Sequence, residues 1–364
     1  MPVEMNIILF FIFTVYFLIS IIVFFATLKK DSKGVLKSLP FISILISARN
    51  EEKNILGCLE SLKDQSYPPG QFEVIIINDH SADNTESVVK EFIDRTKNFH
   101  LLNAPEGVHG KRKALVYGIE KAKGEFLFQI DADCTAGRDW LSELVSSLSE
   151  GNSITGGFTL IDKPESVIER IQALDWVYIQ SVGTAISRIK KPFSIFGNNM
   201  AFKKNDYLDS GGYDKINREI LIDYQLVQLM LKNKSNKGKL IFNKGSIVNT
   251  KPVKNFFEYL KQRKRWGRGT FNINVGGKLI LLTSLISSLM LLVSPFFVKQ
   301  FIWFFVLKIS GDLLILYNPL RFYKRLNLLF YFIFYEIFHI LNTVVLGIVL
   351  PFSKKVEWKG RELK

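Results

Sequence analysis

The sequence Gly-Glu-Phe-Leu-Phe-Gln-Ile-Asp-Ala-Asp-Cys at residues 124–134 decides the fold. Residues 126–130 are apolar except for Gln129, which predicts a buried strand. The strand stops at Asp131 and Asp133, and two carboxylates at the end of a core strand are costly to bury unpaired. A solvated turn is the ordinary explanation. The alternative is a divalent cation that both carboxylates hold beside a diphosphate.

The composition favours a membrane protein. The chain has 364 residues and a formal net charge of +14, and 13% of its residues are aromatic. Lysines and arginines flank long apolar runs, so we expect an anionic lipid surface as the partner and no nucleic acid. The two cysteines, Cys58 and Cys134, indicate no disulfide framework and fit a reducing compartment.

An apolar run at residues 7–28 predicts a membrane anchor. As a helix at ~1.5 Å per residue it would span about 33 Å, enough to cross a bilayer. No basic stretch precedes it and no small-residue cleavage site follows it, which favours a retained anchor over a signal peptide. Lysines follow it at once, so the positive-inside rule places the N-terminus outside and the next domain in the cytoplasm.

Strands alternate with helices between about residues 41 and 251, which predicts a mostly parallel sheet covered on both faces. Apolar runs at 41–47 and 72–77 predict two further buried strands, and polar clusters follow them at 49–51 and 78–79. Because ligands bind at the carboxyl ends of strands in such sheets, we expect these clusters and the two aspartates to line one site.

Two common nucleotide-binding signatures are absent from the sequence. It contains no Gly-x-x-x-x-Gly-Lys-Ser/Thr loop, and no Gly-x-Gly-x-x-Gly follows the first strand. The sequence therefore supports neither a kinase nor a dehydrogenase. What remains is an acidic edge suited to a metal, with Lys111 and Lys113 nearby.

Seven short motifs between residues 41 and 270 carry a resemblance to a known family. They are Ser-Ala-Arg-Asn-Glu at 47–51, Ile-Asn-Asp-His-Ser at 77–81, Gly-Lys with Ala-Leu at 110–115, Asp-Ala-Asp at 131–133, Gly-Gly-Tyr-Asp at 211–214, Asp223 in an amphipathic helix, and Gln-Arg-Lys-Arg-Trp at 262–266. In this order they resemble the family 2 glycosyltransferases, which are inverting enzymes of the nucleotide-diphospho-sugar transferase (GT-A) type. The resemblance implies an α/β fold with a Rossmann-like mixed sheet, and the apolar runs add transmembrane helices at both ends.

The resemblance also implies roles for the acidic residues. Glu51 and Asp79 would bind the uracil and ribose of a UDP-sugar, although Asn78 stands where the family has the first of two acids. Asp131 would also contact the nucleotide ribose edge. Asp131 and Asp133 would hold Mg²⁺ or Mn²⁺ on the diphosphate.

Two further residues would act on the leaving group and the acceptor. Lys111 would neutralise phosphate charge, or it is a solvated lysine at a helix start. The family's base is the Asp of a Glu-Asp pair, and here only Asp223 is present, with Ile222 in the place of the Glu. Apolar surroundings would raise the pKa of Asp223, which suits a base. A solvated Asp223, with Asp214 as the base, is the alternative.

Residues 252–275 are strongly basic with interleaved aromatic residues, which predicts an amphipathic helix at the membrane interface. A surface helix without a catalytic part is the plain alternative. In membrane-integrated members of the family the Gln-x-x-Arg-Trp motif closes the site. The resemblance therefore implies Gln262 and Arg265 near the diphosphate, and Trp266 near the acceptor.

Three apolar runs follow, at about 279–298, 301–317 and 328–350, and predict membrane helices. Three full crossings cannot place both basic segments that follow the last two runs in the cytoplasm. We expect one run to be re-entrant or interfacial, and an external tail is the alternative. Lys308 and Asp312 are four residues apart inside the second run, and we expect them to neutralise each other.

The predicted organisation has five parts. They are an N-terminal anchor at 1–30, a cytoplasmic glycosyltransferase domain at 38–251, the interface helix at 252–275, membrane helices at 276–351 and a basic cytoplasmic tail at 352–364. The tail is similar to that of the ceramide glucosyltransferase and bacterial carotenoid and hopanoid glycosyltransferase branch of the family.

The leading hypothesis is an enzyme of the cell membrane, with its catalytic domain facing the cytoplasm. It would transfer a hexose from a UDP-sugar to a membrane lipid, with inversion. A processive polysaccharide synthase shares the Gln-x-x-Arg-Trp motif, but about four membrane segments are few to line a polymer channel. A non-catalytic membrane scaffold is the second alternative.

Overall fold

The computed structural model describes residues 3–32, 35–36, 39–216, 219–270, 275–297, 301–350, 356–358 and 361–363. The chain forms two compact units. The sheet unit comprises Lys30–Asp162 and Ile186–Lys251. The helical unit comprises Met1–Lys29, Lys163–Ala185 and Pro252–Lys364, so one segment of the predicted cytoplasmic domain groups with the apolar helices.

The strands are short. In chain order they are β1 Ile42–Ala48, β2 Phe72–Asn78, β3 Phe99–Asn103, β4 Phe126–Gln129, β5 Cys134–Ala136, β6 Ile154–Gly156, β7 Thr159–Ile161, β8 Met200–Lys203, β9 Gly238–Leu240, β10 Val248–Thr250, β11 Val356–Trp358 and β12 Arg361–Leu363. Nearly all residues of β1, β2 and β4 are buried.

The α-helices alternate with the strands up to the middle of the chain and then follow one another. They are α1 Val3–Leu28, α2 Ile55–Lys63, α3 Thr85–Ile93, α4 Lys111–Lys121, α5 Trp140–Ser149, α6 Val167–Ile189, α7 Lys204–Ser210, α8 Ile222–Leu231, α9 Phe256–Thr270, α10 Val275–Phe297, α11 Phe301–Phe322 and α12 Phe332–Val349.

The main sheet is mixed, as predicted. Its strand order is β3-β2-β1-β4-β8-β6-β9. The first four strands are parallel to one another, and β8 runs antiparallel to both of its neighbours. A second, three-stranded sheet has the order β5-β10-β7.

Both faces of the main sheet are covered, which explains why β1 reads as a continuous apolar run. Ile44 and Ile46 pack with Trp140 on one face. Leu45 packs with Leu115 of α4 on the other face. Because β1, β2 and β4 are parallel, their carboxyl ends meet at one edge, and the polar segments that follow them are brought together there.

The helical unit contains the apolar helices. Among the described residues, three helices are long and apolar enough to cross a membrane: Ile7–Leu28, Ile302–Phe322 and Leu326–Ile348. Residues 279–297 of the predicted run at 279–298 lie in α10, and the apolar stretch Leu282–Val293 is part of this helix; residue 298 lies outside the described part of the chain. Within this unit α1 packs against α11, and α10 packs against α12.

A cluster of ionisable side chains is buried inside the helical unit. Lys308 forms ion pairs with Asp312 and, at 2.9 Å, with Glu336. Tyr16 bonds through its hydroxyl to Asp312 and lies 2.8 Å from the hydroxyl of Tyr178. The predicted neutralisation of Lys308 by Asp312 is confirmed, and Glu336 is a second partner from the last run.

The end of the chain folds back on itself. Strands β11 and β12 pair antiparallel, and β11 lies against α9 within the helical unit. The other residues of the predicted basic tail, 352–355, 359–360 and 364, lie outside the described part of the chain.

Candidate active site

The segments after β1 and β2 hold two of the predicted binding residues at the sheet edge. Asp79 is fully buried, and its backbone N–H donates to the carbonyl of Ala48 at 2.8 Å. Its carboxylate accepts the backbone N–H of Gly110 at 3.1 Å. Glu51 is also buried, and its carboxylate accepts the side-chain amide of Asn54 at 2.7 Å. Both acids are therefore held in place.

Asn78, which replaces the first acid of the family's pair, shapes the segment after β2. Its side-chain amide donates to the Asn103 side chain at the end of β3, at 3.0 Å. Its side-chain oxygen accepts the backbone N–H of Ser81 at 3.1 Å. An amide can donate and accept at once, which a carboxylate cannot. Asn78 thus ties two strand ends together.

Lys111 and Asp131 form an ion pair at the same edge. The Lys111 ammonium donates to the Asp131 carboxylate at 2.6 Å, and both side chains are partly exposed. Lys111 is the first residue of α4, after Gly110 with a φ of +90° that favours glycine. Asp133 lies two residues beyond Asp131, also partly exposed. Lys111, which was predicted to neutralise phosphate charge, therefore lies beside the acids that were predicted to bind the metal.

Asp223 lies in the first turn of α8 and is linked to the central strand β4. Gln129 donates its side-chain amide to the carbonyl of Gly197 at 2.7 Å and to the Asp223 carboxylate at 3.4 Å. The hydroxyl of Tyr213 donates to the Gln129 side-chain oxygen at 2.6 Å. Asp214, the alternative base, is exposed.

Burial sets the protonation chemistry of Asp223. Removal from water raises the pKa of its carboxyl, in the direction predicted. The Lys111 ammonium opposes this shift, the Asp131 carboxylate adds to it, and hydrogen bonds from Gln129 and Gly197 lower the pKa again. Net, the pKa of Asp223 lies above that of an ordinary aspartate, which suits a group that accepts a proton.

Gly197 leaves the room that the Asp223 carboxylate occupies. A Cβ atom built on Gly197 would lie closer than 3.0 Å to the Asp223 carboxylate carbon and to both of its oxygens. Sequence analysis noted neither this contact nor the Gln129–Tyr213 support. A polar residue in an apolar strand, Gln129, was the available signal.

A second group of possible metal ligands was also missed. One ligand atom each from Asp79, His80 and His109 lies within 4.8 Å of the others. The two imidazole rings are 4.3 Å apart, and His80 lies 3.2 Å from the Val108 carbonyl. Imidazoles with a carboxylate suit a transition ion, whereas the all-oxygen Asp131 and Asp133 pair suits Mg²⁺ or Mn²⁺. His80 lies within the Ile-Asn-Asp-His-Ser motif, and His109 directly precedes the Gly-Lys motif, which was the available signal in the sequence.

The Gln-x-x-Arg-Trp residues lie on α9, in the helical unit. Trp266 packs edge-on against Trp176 of α6, with ring centroids 5.4 Å apart. The side-chain oxygen of Gln262 is buried and accepts no hydrogen bond from the part of the chain that the structure describes. Arg265 is partly buried. The motif thus belongs to the helical unit, whereas the acidic edge belongs to the sheet unit.

Arg263, a residue inside the motif that sequence analysis did not select, joins α9 to α6. It forms a buried ion pair with Asp175 of α6. The hydroxyl of Tyr259 donates to Asp175 at 2.7 Å, and the Arg263 guanidinium lies 5.1 Å from the Trp266 ring. Arg263 therefore fixes the helix that carries the motif.

The mixed sheet and its acidic edge define a fold of the nucleotide-diphospho-sugar transferase type. The chain belongs to glycosyltransferase family group 2. The family model described as "Glycosyl transferase family group 2" matches residues 127–350. The description "Glycosyl transferase family 2" matches residues 43–208.

Two relatives show the range of this group. The chain is 35% identical over 124 residues to a β-monoglucosyldiacylglycerol synthase of Nostoc sp., covering 34% of this chain and 26% of that protein. It is 29% identical over 195 residues to the poly-β-1,6-N-acetyl-D-glucosamine synthase of Staphylococcus epidermidis, covering 51% and 45%. The matched segments span between about a quarter and just over half of the length of the curated relatives, from 26% to 57%.

The fold also matches a solved structure over nearly its whole length. The mannosyltransferase PcManGT from Pyrobaculum calidifontis, in complex with GDP-Man and Mn²⁺, superposes with a TM-score of 0.61. The match covers 94% of this chain and 98% of that one, at 17% sequence identity. The two proteins share the GT-A fold.

Proposed function

We propose that this protein transfers a sugar from a UDP-sugar to a hydroxyl or carboxyl group of a membrane lipid, with inversion at the anomeric carbon. One observation carries the proposal: strand β4 joins the acid that would hold the metal to the acid that would act as base. Asp131 follows β4 and pairs with Lys111, while Gln129 at the end of β4 supports Asp223. The end of β4 thus positions both the groups that would act on the donor and the separate group that would act on the acceptor.

The donor would be held by the acidic edge. Glu51 and Asp79 would bind the nucleoside, because both are fixed by hydrogen bonds at the strand ends. Asp131 and Asp133 offer the hard oxygen ligands that Mg²⁺ and Mn²⁺ prefer. Bound there, such an ion supplies Lewis acidity to the diphosphate leaving group. Lys111, which pairs with Asp131 in this structure, would then also form an ion pair with the phosphate oxygens.

Asp223 would act on the acceptor. Its carboxylate takes the acceptor's hydroxyl proton as the acceptor oxygen bonds to the anomeric carbon. The bond from that carbon to the diphosphate oxygen breaks in the same step, and UDP leaves. Gln129 orients the carboxylate, and Tyr213 orients Gln129, so the base is positioned before the acceptor arrives.

The Gln-x-x-Arg-Trp helix would complete the site. The buried, unbonded side-chain oxygen of Gln262 suits a donor group of a substrate. Arg265 would contact the diphosphate, and Trp266 would offer an aromatic face to the acceptor. The ion pair of Arg263 with Asp175 would hold this helix in place.

A lipid acceptor and a location in the cell membrane are supported by two observations. Three helices among the described residues are apolar and long enough to cross a bilayer. One relative is named for the synthesis of a glucosyl lipid. A polysaccharide synthase is the second candidate, because another relative is named for polymer synthesis.

The test is release of UDP by the purified full-length chain. With Mg²⁺ or Mn²⁺ and a lipid extract we expect UDP release from at least one common UDP-sugar, abolished by a chelator. One sugar on an organic-soluble product would support the lipid acceptor, whereas a high-mass aqueous product would identify a polymer synthase. Release from GDP-sugars alone would contradict the UDP assignment. No release from any donor would favour the scaffold.

The Asp223→Asn variant tests the base. It should lower turnover by about 10³-fold, because it removes the proton acceptor, while UDP still binds. Asp214→Asn is the matched control and should keep turnover near that of the unaltered protein. Full activity of Asp223→Asn would refute the assignment.

A further inference from the structure

A basic pocket lies in the sheet unit, beside the end of α6 and the strand β9. Its volume is about 340 Å³. Five cationic side chains line it: Arg188, Lys190, Lys191, Lys237 and Lys239. Asp31 is the one carboxylate in this lining. None of these residues belongs to the proposed catalytic site.

Only part of this positive charge is neutralised. Asp31 forms ion pairs with Arg188 and with Lys239, each at 3.3 Å. Glu150, outside the lining, pairs with Lys239 at 3.8 Å. The ammonium of Lys191 donates to the carbonyls of residues 231 and 233, at 3.1 and 3.0 Å, which fixes it and leaves its charge. The side chains of Lys190 and Lys237 are exposed. The pocket therefore keeps an excess of positive charge.

The pocket is preformed, because its one acid is anchored on both sides. The backbone N–H of Asp31 donates to the Phe242 carbonyl at 3.0 Å, and the Asp31 carboxylate accepts the Phe242 N–H at 2.8 Å. The hydroxyl of Ser187, another lining residue, accepts the Leu240 N–H at 3.0 Å. An incoming anion would find Arg188, Lys191 and Lys239 already placed.

The position of Asp31 in the sequence indicates where the anion comes from. Asp31 is three residues beyond Leu28, the last residue of an apolar helix long enough to cross a membrane. Three residues reach at most about 11 Å. The pocket wall that Asp31 forms is thus within that reach of the helix end, where lipid phosphates lie if this helix spans a bilayer.

We propose that this pocket binds the phosphate group of an anionic phospholipid from the membrane that α1 spans. The guanidinium and the lysines would hold the phosphate oxygens by charge-assisted hydrogen bonds. Soluble phosphate shares this chemistry, and the experiment separates the two sources. The proposal stands apart from sugar transfer, since binding is measured without a donor.

The experiment is a lipid titration of the full-length chain in a neutral detergent, followed by native mass spectrometry. Phosphatidylglycerol should bind with clear preference over phosphatidylcholine, and inorganic phosphate at equal concentration should not displace it. The double variant Lys190→Gln and Lys237→Gln should weaken phosphatidylglycerol binding by about tenfold or more, because each lysine adds to the attraction of an anionic lipid.

The matched control replaces two exposed lysines elsewhere in the sheet unit, Lys63→Gln and Lys97→Gln, which change the net charge equally. This control should bind phosphatidylglycerol as the unaltered chain does. Equal weakening in both double variants, or no preference over phosphatidylcholine, would overturn the proposal. Displacement by inorganic phosphate alone would assign the pocket to a soluble anion and would overturn the lipid assignment.

Discussion

At the scale of single residues, the two largest influences on the pKa of Asp223 oppose each other. Burial raises the pKa, and the Lys111 ammonium lowers it. A base works only when ionised, so activity should fall as the pH drops through this pKa. Because the pKa is raised, the fall should occur at a higher pH than for an ordinary aspartate. The pH dependence of kcat/KM measures it.

Removal of the opposing charge extends this prediction. Lys111→Gln should move the acidic limb of the kcat/KM profile to higher pH, since a nearby cation stabilises the carboxylate. Lys113→Gln on the same helix is the control. Its ammonium is exposed and donates to the Gly107 carbonyl, so the limb should not move. An unmoved limb in Lys111→Gln would contradict the assignment of Asp223.

Gly197→Ala should misplace the base. The added Cβ would overlap the Asp223 carboxylate, which must then move. We expect kcat to fall by about 10²-fold, with UDP binding kept, because small displacements of a catalytic group are costly. Gly70→Ala is the control, since nothing lies within 4 Å of its added Cβ. Equal kcat in the two variants would show that the contact has no effect.

The acidic residues of the site could be predicted from the sequence more readily than the residues that hold them in position. Asp131 and Asp223 stand in short motifs whose spacing is visible in the chain. Gln129 and Tyr213 act through contacts between residues 84 positions apart, which no local pattern encodes. His80 and His109 likewise approach only because parallel strands bring their segments together.

At the scale of elements, a buried ion pair contributes to the attachment of α9 to α6, beside the Tyr259–Asp175 hydrogen bond and the Trp176–Trp266 contact. Asp175→Leu alone should lower the free energy of unfolding by about 3–5 kcal/mol, because it leaves the Arg263 charge buried without its partner. The double variant Asp175→Leu and Arg263→Met should recover much of this loss. Denaturant unfolding in detergent measures both. A double variant no more stable than Asp175→Leu would contradict this explanation.

Element types were predictable, but strand direction was not. The apolar runs of β1, β2 and β4 predicted buried strands because burial on both faces demands them. The antiparallel course of β8 depends on how α6 and the following segment return the chain, and no residue of Met200–Lys203 specifies it. The ion pair that orders α9 was missed because Arg263 and Asp175 lie far apart in sequence.

At the scale of the whole molecule, the number of membrane crossings decides the side of the tail. The helices Ile7–Leu28, Ile302–Phe322 and Leu326–Ile348 meet the length for a crossing, and α10, Val275–Phe297, is of similar length. We propose three crossings from an external N-terminus, with one of the three later apolar helices re-entrant or interfacial. The tail would then face the cytoplasm, as the distribution of lysines and arginines favours.

A cysteine introduced by Glu357→Cys tests this topology. A membrane-impermeant maleimide should label it in inside-out vesicles and not in intact cells. Lys63→Cys, at an exposed position of the sheet unit, is the control and should label on the same side. Labelling of the two cysteines from opposite sides would require an even number of crossings, with the tail outside.

The two native cysteines lie beside the acids that would hold the metal. The Cys58 thiol donates to the Asp131 carbonyl at 3.6 Å, and the Cys134 thiol lies 3.4 Å from an Asp133 carboxylate oxygen. Both are buried, and burial raises the pKa of both thiols. Neither should therefore be alkylated in the conformation that buries it. The rate at which the unaltered chain is alkylated should therefore measure how often this strand end opens transiently. Bound nucleotide with metal should lower that rate.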